Sequence, residues 1–206
     1  MSTSDKRIYL ASRSPRRRDL LKQIGVGFEL LLLREDPRRG IDVDETPLAG
    51  EPAAEYVLRI ARAKARVAAE KLAPRRLQPY PVLAADTTVV LGDEIIGKPQ
   101  DAEHAVQILS ALAGREHRVI SAVAVALRDR VESSVSISSV EFRTLSEAEA
   151  RRYIASGEPF DKAGAYAIQG RAAAFVTRIT GSYSGIMGLP LAETAELLQR
   201  FDIEVL

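Results

Sequence analysis

Ile8-Tyr-Leu-Ala-Ser-Arg-Ser-Pro-Arg-Arg-Arg-Asp-Leu-Leu21 joins a short apolar strand, a serine-containing turn and a helix that opens with arginines. Ser14 suits the N-cap, and Pro15 suits the first helical position, where a missing N–H costs nothing. Arg16, Arg17 and Arg18 then fill the first turn, at the positive end of a helix dipole that cations normally avoid. A bound anion resolves the conflict, because backbone N–H groups and guanidinium forks both point at phosphate oxygens. For an arbitrary arginine run a solvated basic turn is the simpler reading. Here strand, cap, proline and arginines agree, and phosphate binding is favoured.

Outward from this strand–turn–helix unit, the first helix should stop near Gly25, and Phe28 to Leu33 reads as a buried strand. Arg34 to Gly50 is a long charged loop. A helix from Pro52 to about Leu72 follows, with Val57, Ile60, Ala61 and Val67 on one face. Ala73 to Pro81 is a turn-rich connection. Val82 to Leu91 is a buried strand, Gly92-Asp93 a turn, and Glu94 to Gly97 a short return strand. The next helix runs from about Asp101 to Ala113, with Gly114 just past its end. Arg118 to Leu127 and Val131 to Arg143 are long strands. Ser146 and Glu149 form a capping box for a helix ending near Gly157. Glu158 to Gly170 is a loop, Ala172 to Ile179 a strand, Pro190 to Arg200 a helix, and Ile203 to Leu206 a last strand. Single strands and antiparallel pairs alternate with helices, which predicts an α/β fold with a mixed twisted sheet and flanking helices.

A chain of 206 residues suits one domain, or two lobes around a central cleft. With 46% hydrophobic residues but only 5% aromatic ones, the core must be built from Leu, Ile, Val and Ala. The 29 basic and 28 acidic side chains nearly cancel, so no global charge attracts a nucleic acid or an anionic membrane. Few aromatics for base stacking weaken a nucleic-acid-binding reading of the arginine cluster further. Cysteine is absent, which excludes disulfides, thiolate nucleophiles and cysteine zinc sites. No secretory h-region precedes the first strand and no run spans a bilayer, so a soluble, cytoplasmic protein is expected. His104 and His117, the two histidines, lack partners for a Ser-His-Asp arrangement or a zinc pair and read as structural or solvated. Catalysis must then rest on carboxylates, lysines and arginines, with or without a metal.

Asp86 stands inside the apolar strand Leu83-Ala-Ala-Asp-Thr-Thr-Val-Val90, where a carboxylate needs a cation, a metal or hydrogen bonds. A structural salt bridge and a functional site are about equally good explanations for an isolated strand aspartate. Lys98, in Ile95-Ile-Gly-Lys-Pro99, shifts the balance, because the hairpin can return it to the same end of the sheet. Asp42-Val-Asp-Glu-Thr46 gathers three carboxylates that suit Mg²⁺ or Mn²⁺, although acidic loops are usually just solvated. Lys64, mid-helix among alanines, either snorkels to solvent or faces the site. Glu158-Pro-Phe-Asp-Lys-Ala-Gly-Ala-Tyr-Ala-Ile-Gln-Gly170 is more specific. It combines Asp161 and Lys162 with small residues and ends on Gln169, whose amide can read the edge of a planar base.

These residues resemble the Maf-like nucleoside triphosphate pyrophosphatases along nearly the whole chain. The resemblance rests on Leu10-Ala-Ser-Arg-Ser-Pro-Arg-Arg-Arg18, Asp42-Val-Asp-Glu-Thr46, Arg62-Ala-Lys-Ala65 and Ala85-Asp-Thr87. It continues through Gly97-Lys-Pro99, Asp161-Lys-Ala-Gly-Ala-Tyr166, Ile168-Gln-Gly170 and Gly188-Leu-Pro190. Ala85-Asp-Thr87 with the 161–166 motif and Gln169 resembles the subgroup acting on dTTP and UTP, not the one acting on 7-methyl-GTP. The resemblance implies one domain of two lobes, a fold related to the inosine triphosphatases, a homodimer and a divalent metal. By motif match it implies Asp86 as catalytic proton acceptor and Arg16, Thr87 and Gln169 as specificity residues. Ser12, Arg17, Lys64, Lys98 and Lys162 are implied to meet substrate and phosphates, and Glu45 with Asp86 to hold Mg²⁺ or Mn²⁺, with Co²⁺ as a further option. Three departures stand out: Arg13 where a small residue is common, Ala167 where glycine is frequent, and a longer 34–40 segment.

The implied reaction is hydrolysis of a nucleoside triphosphate to the monophosphate and pyrophosphate, a house-cleaning of nucleotide pools. Competing readings are a regulatory nucleotide-binding protein linked to cell-division control, with little turnover, and a pyrophosphatase of different base preference.

Overall fold

A computed structural model describes residues 7–35, 38 and 40–205. Asp36, Pro37 and Arg39 of the long charged loop, the first six residues and Leu206 lie outside the described residues. The strands are β1 (Arg7–Leu10), β2 (Gly27–Leu30), β3 (Val82–Leu91), β4 (Glu94–Ile96), β5 (Glu116–Leu127), β6 (Arg130–Phe142) and β7 (Val176–Thr180). The helices are α1 (Pro15–Gln23), α2 (Ala53–Glu70), α3 (Ala102–Leu112), α4 (Glu147–Ile154), α5 (Tyr183–Met187) and α6 (Leu191–Gln199). The sheet has seven strands in the order β2-β1-β3-β5-β6-β7, with β4 paired to β3. β1 pairs in parallel with β2 and β3, whereas the β3–β4 and β6–β7 pairs are antiparallel. The sheet is therefore mixed and flanked by helices, as the alternation of elements predicts.

Asp101 caps α3 by accepting from the His104 amide at 2.8 Å, a cap the sequence reading did not single out. Two local signals act as read. Ser146 and Glu149 close a reciprocal capping box on α4. Gly114 leaves α3 with φ +68°, the left-handed exit that glycine permits.

Three expectations need correction. Ladder pairing of β2 ends at Leu30, not Leu33, because its partner β1 is only four residues long; the strand is also not buried, Leu30 being 44% exposed, and only Leu31 and Leu33 beyond it point inward. The segment expected as a strand from Ala172 first makes a 3-10 turn, Arg171–Phe175, which packs Ala172 and Phe175 inward before β7 begins at Val176. Residues 203–205 form no strand: Asp202 takes φ +60°, and the Ile203 amide turns back to the Leu198 carbonyl. Ile203 and Val205 bury their side chains without a ladder partner. Short α5 and the 3-10 turn Ala163–Ala165 carry no periodicity long enough to read from sequence.

Two compact units divide the chain. The first comprises Met1–Asp86, Ser121–Val135 and Gly188–Leu206; the second comprises Thr87–Ile120 and Ser136–Met187. The first is cored on Ile8, Leu10, Leu21, Ile60 and Leu83, all 2% exposed or less. The second packs Leu109, Leu112, Val140 and Phe142 with the aromatic rings of Tyr153, Tyr166 and Phe175. Phe142 meets Tyr166 edge-on at 4.8 Å, and Tyr153 meets Phe175 at 5.3 Å. Such contacts add to the area term that burial alone supplies.

Candidate active site

In the first unit, β3 delivers Asp86 directly after Val82 to Ala85, four residues with no exposure at all. A carboxylate in that position costs heavily unless a cation meets it. Lys64 of α2 does so, its Nζ lying 2.9 Å from Asp86 Oδ1. The same ammonium lies 2.9 Å from Glu45 Oε1. Lys64 could do this only from a helix face of small residues, and Ala61 and Ala65 on either side of it are fully buried. The choice left open in the sequence, between solvent and site, therefore falls on the site. The cation on Asp86 is Lys64; Lys98, expected to be that partner, is exposed beyond β4.

The acidic loop sorts its three carboxylates into different tasks. Asp42 is tied to the Arg34 amide at 2.7 Å and to Lys71 Nζ at 2.9 Å. Burial works to raise its pKa, but the Arg34 amide, Lys71 and the Arg34 side chain outweigh it and hold the carboxyl at about 2. Asp44 accepts from the Thr46 amide, a local turn contact. Glu45 is the one that reaches Lys64. Two side chains of α2 that the sequence reading missed brace this arrangement. Tyr56 donates its hydroxyl to the Glu45 carbonyl at 3.0 Å, and Arg59 donates to the Thr46 carbonyl while pairing with Glu51. Burial pushes the Tyr56 hydroxyl up to about 12, with Asp86 and Glu45 adding to the shift. Tyr56 and Arg59 are an i,i+3 pair on one face of α2, a spacing readable from the sequence.

The α1 turn is built differently from its sequence reading. Ser14 occupies the N-cap position and Pro15 opens the helix, but the Ser14 side chain forms no capping hydrogen bond. Ser12 takes over locally, its hydroxyl accepting from the Ser14 amide at 3.2 Å and from Arg17 Nη1 at 3.4 Å. Arg17 also donates Nε to the Gly188 carbonyl at 2.8 Å. Burial lowers the Arg17 pKa, opposed by the charges of Asp86 and Glu45, so this guanidinium belongs electrostatically to the Asp86 cluster. Arg16 is half-buried in the same turn, which contains no acidic residue. Arg13, a departure from the family pattern, donates to the Leu33 carbonyl at 3.0 Å and pairs with Glu35, so it braces the neighbouring loop.

The second unit holds the remaining sequence candidates. Thr87 is half-buried on β3, and Lys98 and Gln169 are exposed. The Gly164 amide donates to the Gly97 carbonyl at 3.1 Å, tying the 158–170 loop to the segment that carries Lys98. Only glycine fits there: Gly164 has φ +72°, and an added Cβ would lie 2.8 Å from Val89 Cγ2. Lys162 pairs with Asp161 and donates to the Glu158 carbonyl at 2.6 Å. His117 is structural, as expected. It is 2% exposed, and Nε2 lies 2.9 Å from the Tyr166 hydroxyl. His104 is half-buried on α3, accepting from the Gln100 amide.

No group of three or more His, Cys, Asp or Glu side chains suited to a metal occurs among the described residues. Asp86 and Glu45 nevertheless converge on one cationic position, which Lys64 Nζ marks. Two protein oxygens fit a hard cation that completes its shell with water and substrate phosphates, as Mg²⁺ commonly does. The donor set therefore fits a divalent ion whose remaining positions are filled from outside the protein. Cations from α1 and α2 can neutralise phosphate oxygens, and the carboxylates beside them can accept a proton at the same place.

The model of a family described as "Maf-like protein" matches residues 7–201. A dTTP/UTP pyrophosphatase of Aromatoleum aromaticum is 57% identical to this chain over 98% of both sequences. One of Nitrosomonas europaea is 56% identical over 96% of both. A solved structure described as the Staphylococcus aureus Ham1 protein superposes with a TM-score of 0.49 and 17% identity, covering 95% of this chain and 97% of that one. No helix among the described residues is long and apolar enough to cross a membrane.

Proposed function

The chain belongs to the Maf-like protein family, and from that premise we propose that it hydrolyses dTTP and UTP to the nucleoside monophosphate and pyrophosphate. The observation that carries this reading is the Lys64 ammonium 2.9 Å from both Asp86 and Glu45. The names of its relatives support the choice of substrate.

Water attacks the α-phosphorus. A P–O bond forms to the water oxygen, the bond to the α–β bridging oxygen breaks, and pyrophosphate leaves with that electron pair. Asp86 accepts the water proton, a role worth about 10²–10⁴ in rate. Arg16, Arg17, Lys64 and Lys98 hold the triphosphate and stabilise charge on the departing pyrophosphate, assisted by Ser12 and Lys162. Asp86 and Glu45 would hold a divalent cation (Mg²⁺ or Mn²⁺, with Co²⁺ a further option), which when bound neutralises phosphate oxygens and acidifies water.

Uracil and thymine present an N3–H donor between two carbonyl acceptors. The Gln169 amide matches that edge, with Arg16 and Thr87 completing the specificity set. Cytosine reverses part of the pattern and would leave polar groups unpaired. The family resemblance carries the further expectations of a single domain and a cytoplasmic homodimer.

Product analysis with dTTP, UTP, CTP, ATP, GTP and 7-methyl-GTP tests the proposal, with Asp86→Asn and chelator controls beside it. Monophosphate and pyrophosphate from dTTP and UTP, lost in both controls, are expected. Binding of nucleotide without turnover would replace this reading with the regulatory one, and preferential turnover of a purine triphosphate would reassign the base.

A further inference from the structure

One carboxylate holds both ends of the loop that carries Gln169. Glu158 opens the loop, and its Oε1 accepts the Tyr153 hydroxyl at 2.8 Å. Its Oε2 accepts the Arg171 amide at 3.1 Å, thirteen residues further on. The Tyr153 hydroxyl in turn accepts the Ala167 amide at 3.3 Å. Backbone amides on both sides of Gln169 are therefore tied, directly or through one hydroxyl, to Glu158. The anchor is rigid at its far end, because Tyr153 is 4% exposed and packs edge-on against Phe175.

Gly170 shows how closely this carboxylate is seated. Its φ of −104° and ψ of −153° are open to any L-residue, so backbone conformation does not demand glycine. Space does as long as the Glu158 carboxylate keeps its place: an added Cβ would lie 2.5 Å from Glu158 Cδ and would push that side chain aside. The residue next to Gln169 is thus a glycine that leaves room for the Glu158 carboxylate.

We propose that Glu158 is a positioning residue for base selection, setting Gln169 through Tyr153–Ala167 on one side and Arg171 on the other. It touches neither phosphate nor base in this role. The inference rests on the reading of Gln169 as the base-reading amide. A loosened loop blurs the distinction between uracil and cytosine, while proton transfer at Asp86, held by Lys64 at 2.9 Å, continues.

The test compares kcat and KM for UTP and CTP in Gln169→Ala, Glu158→Ala, Gly170→Ala and the Glu158→Ala/Gly170→Ala double variant. All are checked for folding by circular dichroism. Glu158→Ala is expected to lower the UTP-to-CTP ratio of kcat/KM by about tenfold, mainly through a higher KM for UTP, the scale of one lost charge-assisted hydrogen bond. Gly170→Ala is expected to lower it similarly, and the double variant no further than Glu158→Ala alone, because the clashing carboxylate is gone. If Glu158→Ala does not fold, Tyr153→Phe keeps the ring against Phe175, deletes the hydroxyl and reads the same ratio. If Gln169→Ala leaves the ratio unchanged, the base-reading premise itself fails. If Gln169→Ala collapses the ratio while Glu158→Ala keeps it within about twofold, the premise stands and the role of Glu158 is overturned. A double variant in which the two losses multiply overturns it as well.

Discussion

Replacing His117 and Tyr166 together by phenylalanine isolates the energetic effect of a single buried imidazole. The His117 ring packs edge-on against Phe142 at 4.9 Å and Tyr166 at 5.4 Å. Its Nδ1 lacks a well-formed hydrogen bond. Burial pushes its pKa from the ordinary 6.5 down to about 4, and the nearby Arg115 carbonyl offsets only part of that shift. Above pH 6.5 the ring is neutral in both folded and unfolded chains and contributes no pH dependence. As pH falls below 6.5 the unfolded chain takes up a proton that the folded chain refuses, so stability falls, levelling off below about pH 4. At 1.36 kcal/mol per unit, the full loss is about 3 kcal/mol, of which about 2 kcal/mol has gone by pH 5. Carboxylates such as Asp42 and Glu149, both held at about 2, stay charged throughout this window and do not confuse it. Removing both partners of the His117–Tyr166 hydrogen bond leaves no orphaned polar group, so the double variant should match the parent within about 1 kcal/mol at pH 7.5. Urea unfolding followed by far-UV circular dichroism at pH 7.5 and pH 5.0 gives the comparison, the chain having no Trp to report by fluorescence. The variant should lose about 2 kcal/mol less than the parent between those pH values. Equal losses in both would refute the reasoning.

Lys64→Met should abolish turnover and also destabilise the fold by about 3 kcal/mol, since breaking a buried pair leaves Asp86 uncompensated; kinetics and urea unfolding read the two effects separately. Leu109→Ala, at a fully buried position of α3, should cost about 3–5 kcal/mol in urea unfolding, and a cost near zero would mean the cavity collapses freely. Gly164→Ala combines a positive φ with a Val89 clash, so a loss of about 1–3 kcal/mol in thermal unfolding is expected.

Chemical identity and local periodicity were legible from the chain. The alternation of helices with apolar strands reflects which residues can be buried on one face. The capping box at Ser146 and the exit at Gly114 depend only on neighbours within a turn. Asp86 announced itself because a carboxylate amid Val, Leu and Ala must have a partner. Which cation answers it was not legible: Lys64 and Lys98 have the same charge, and only the packing of α2 on the sheet put one of them at 2.9 Å. Asp42, Asp44 and Glu45 likewise look equivalent as a string, and long-range hydrogen bonds to Arg34 and Lys71 remove Asp42 from the set. The segments after Leu30, Gly170 and Phe201 were misjudged because a strand requires a partner of matching length, which no single segment encodes. Sequence determined which side chains must find company; tertiary structure decided which ones did, because hydrogen bonds and ion pairs act over a few ångströms and chain separation does not.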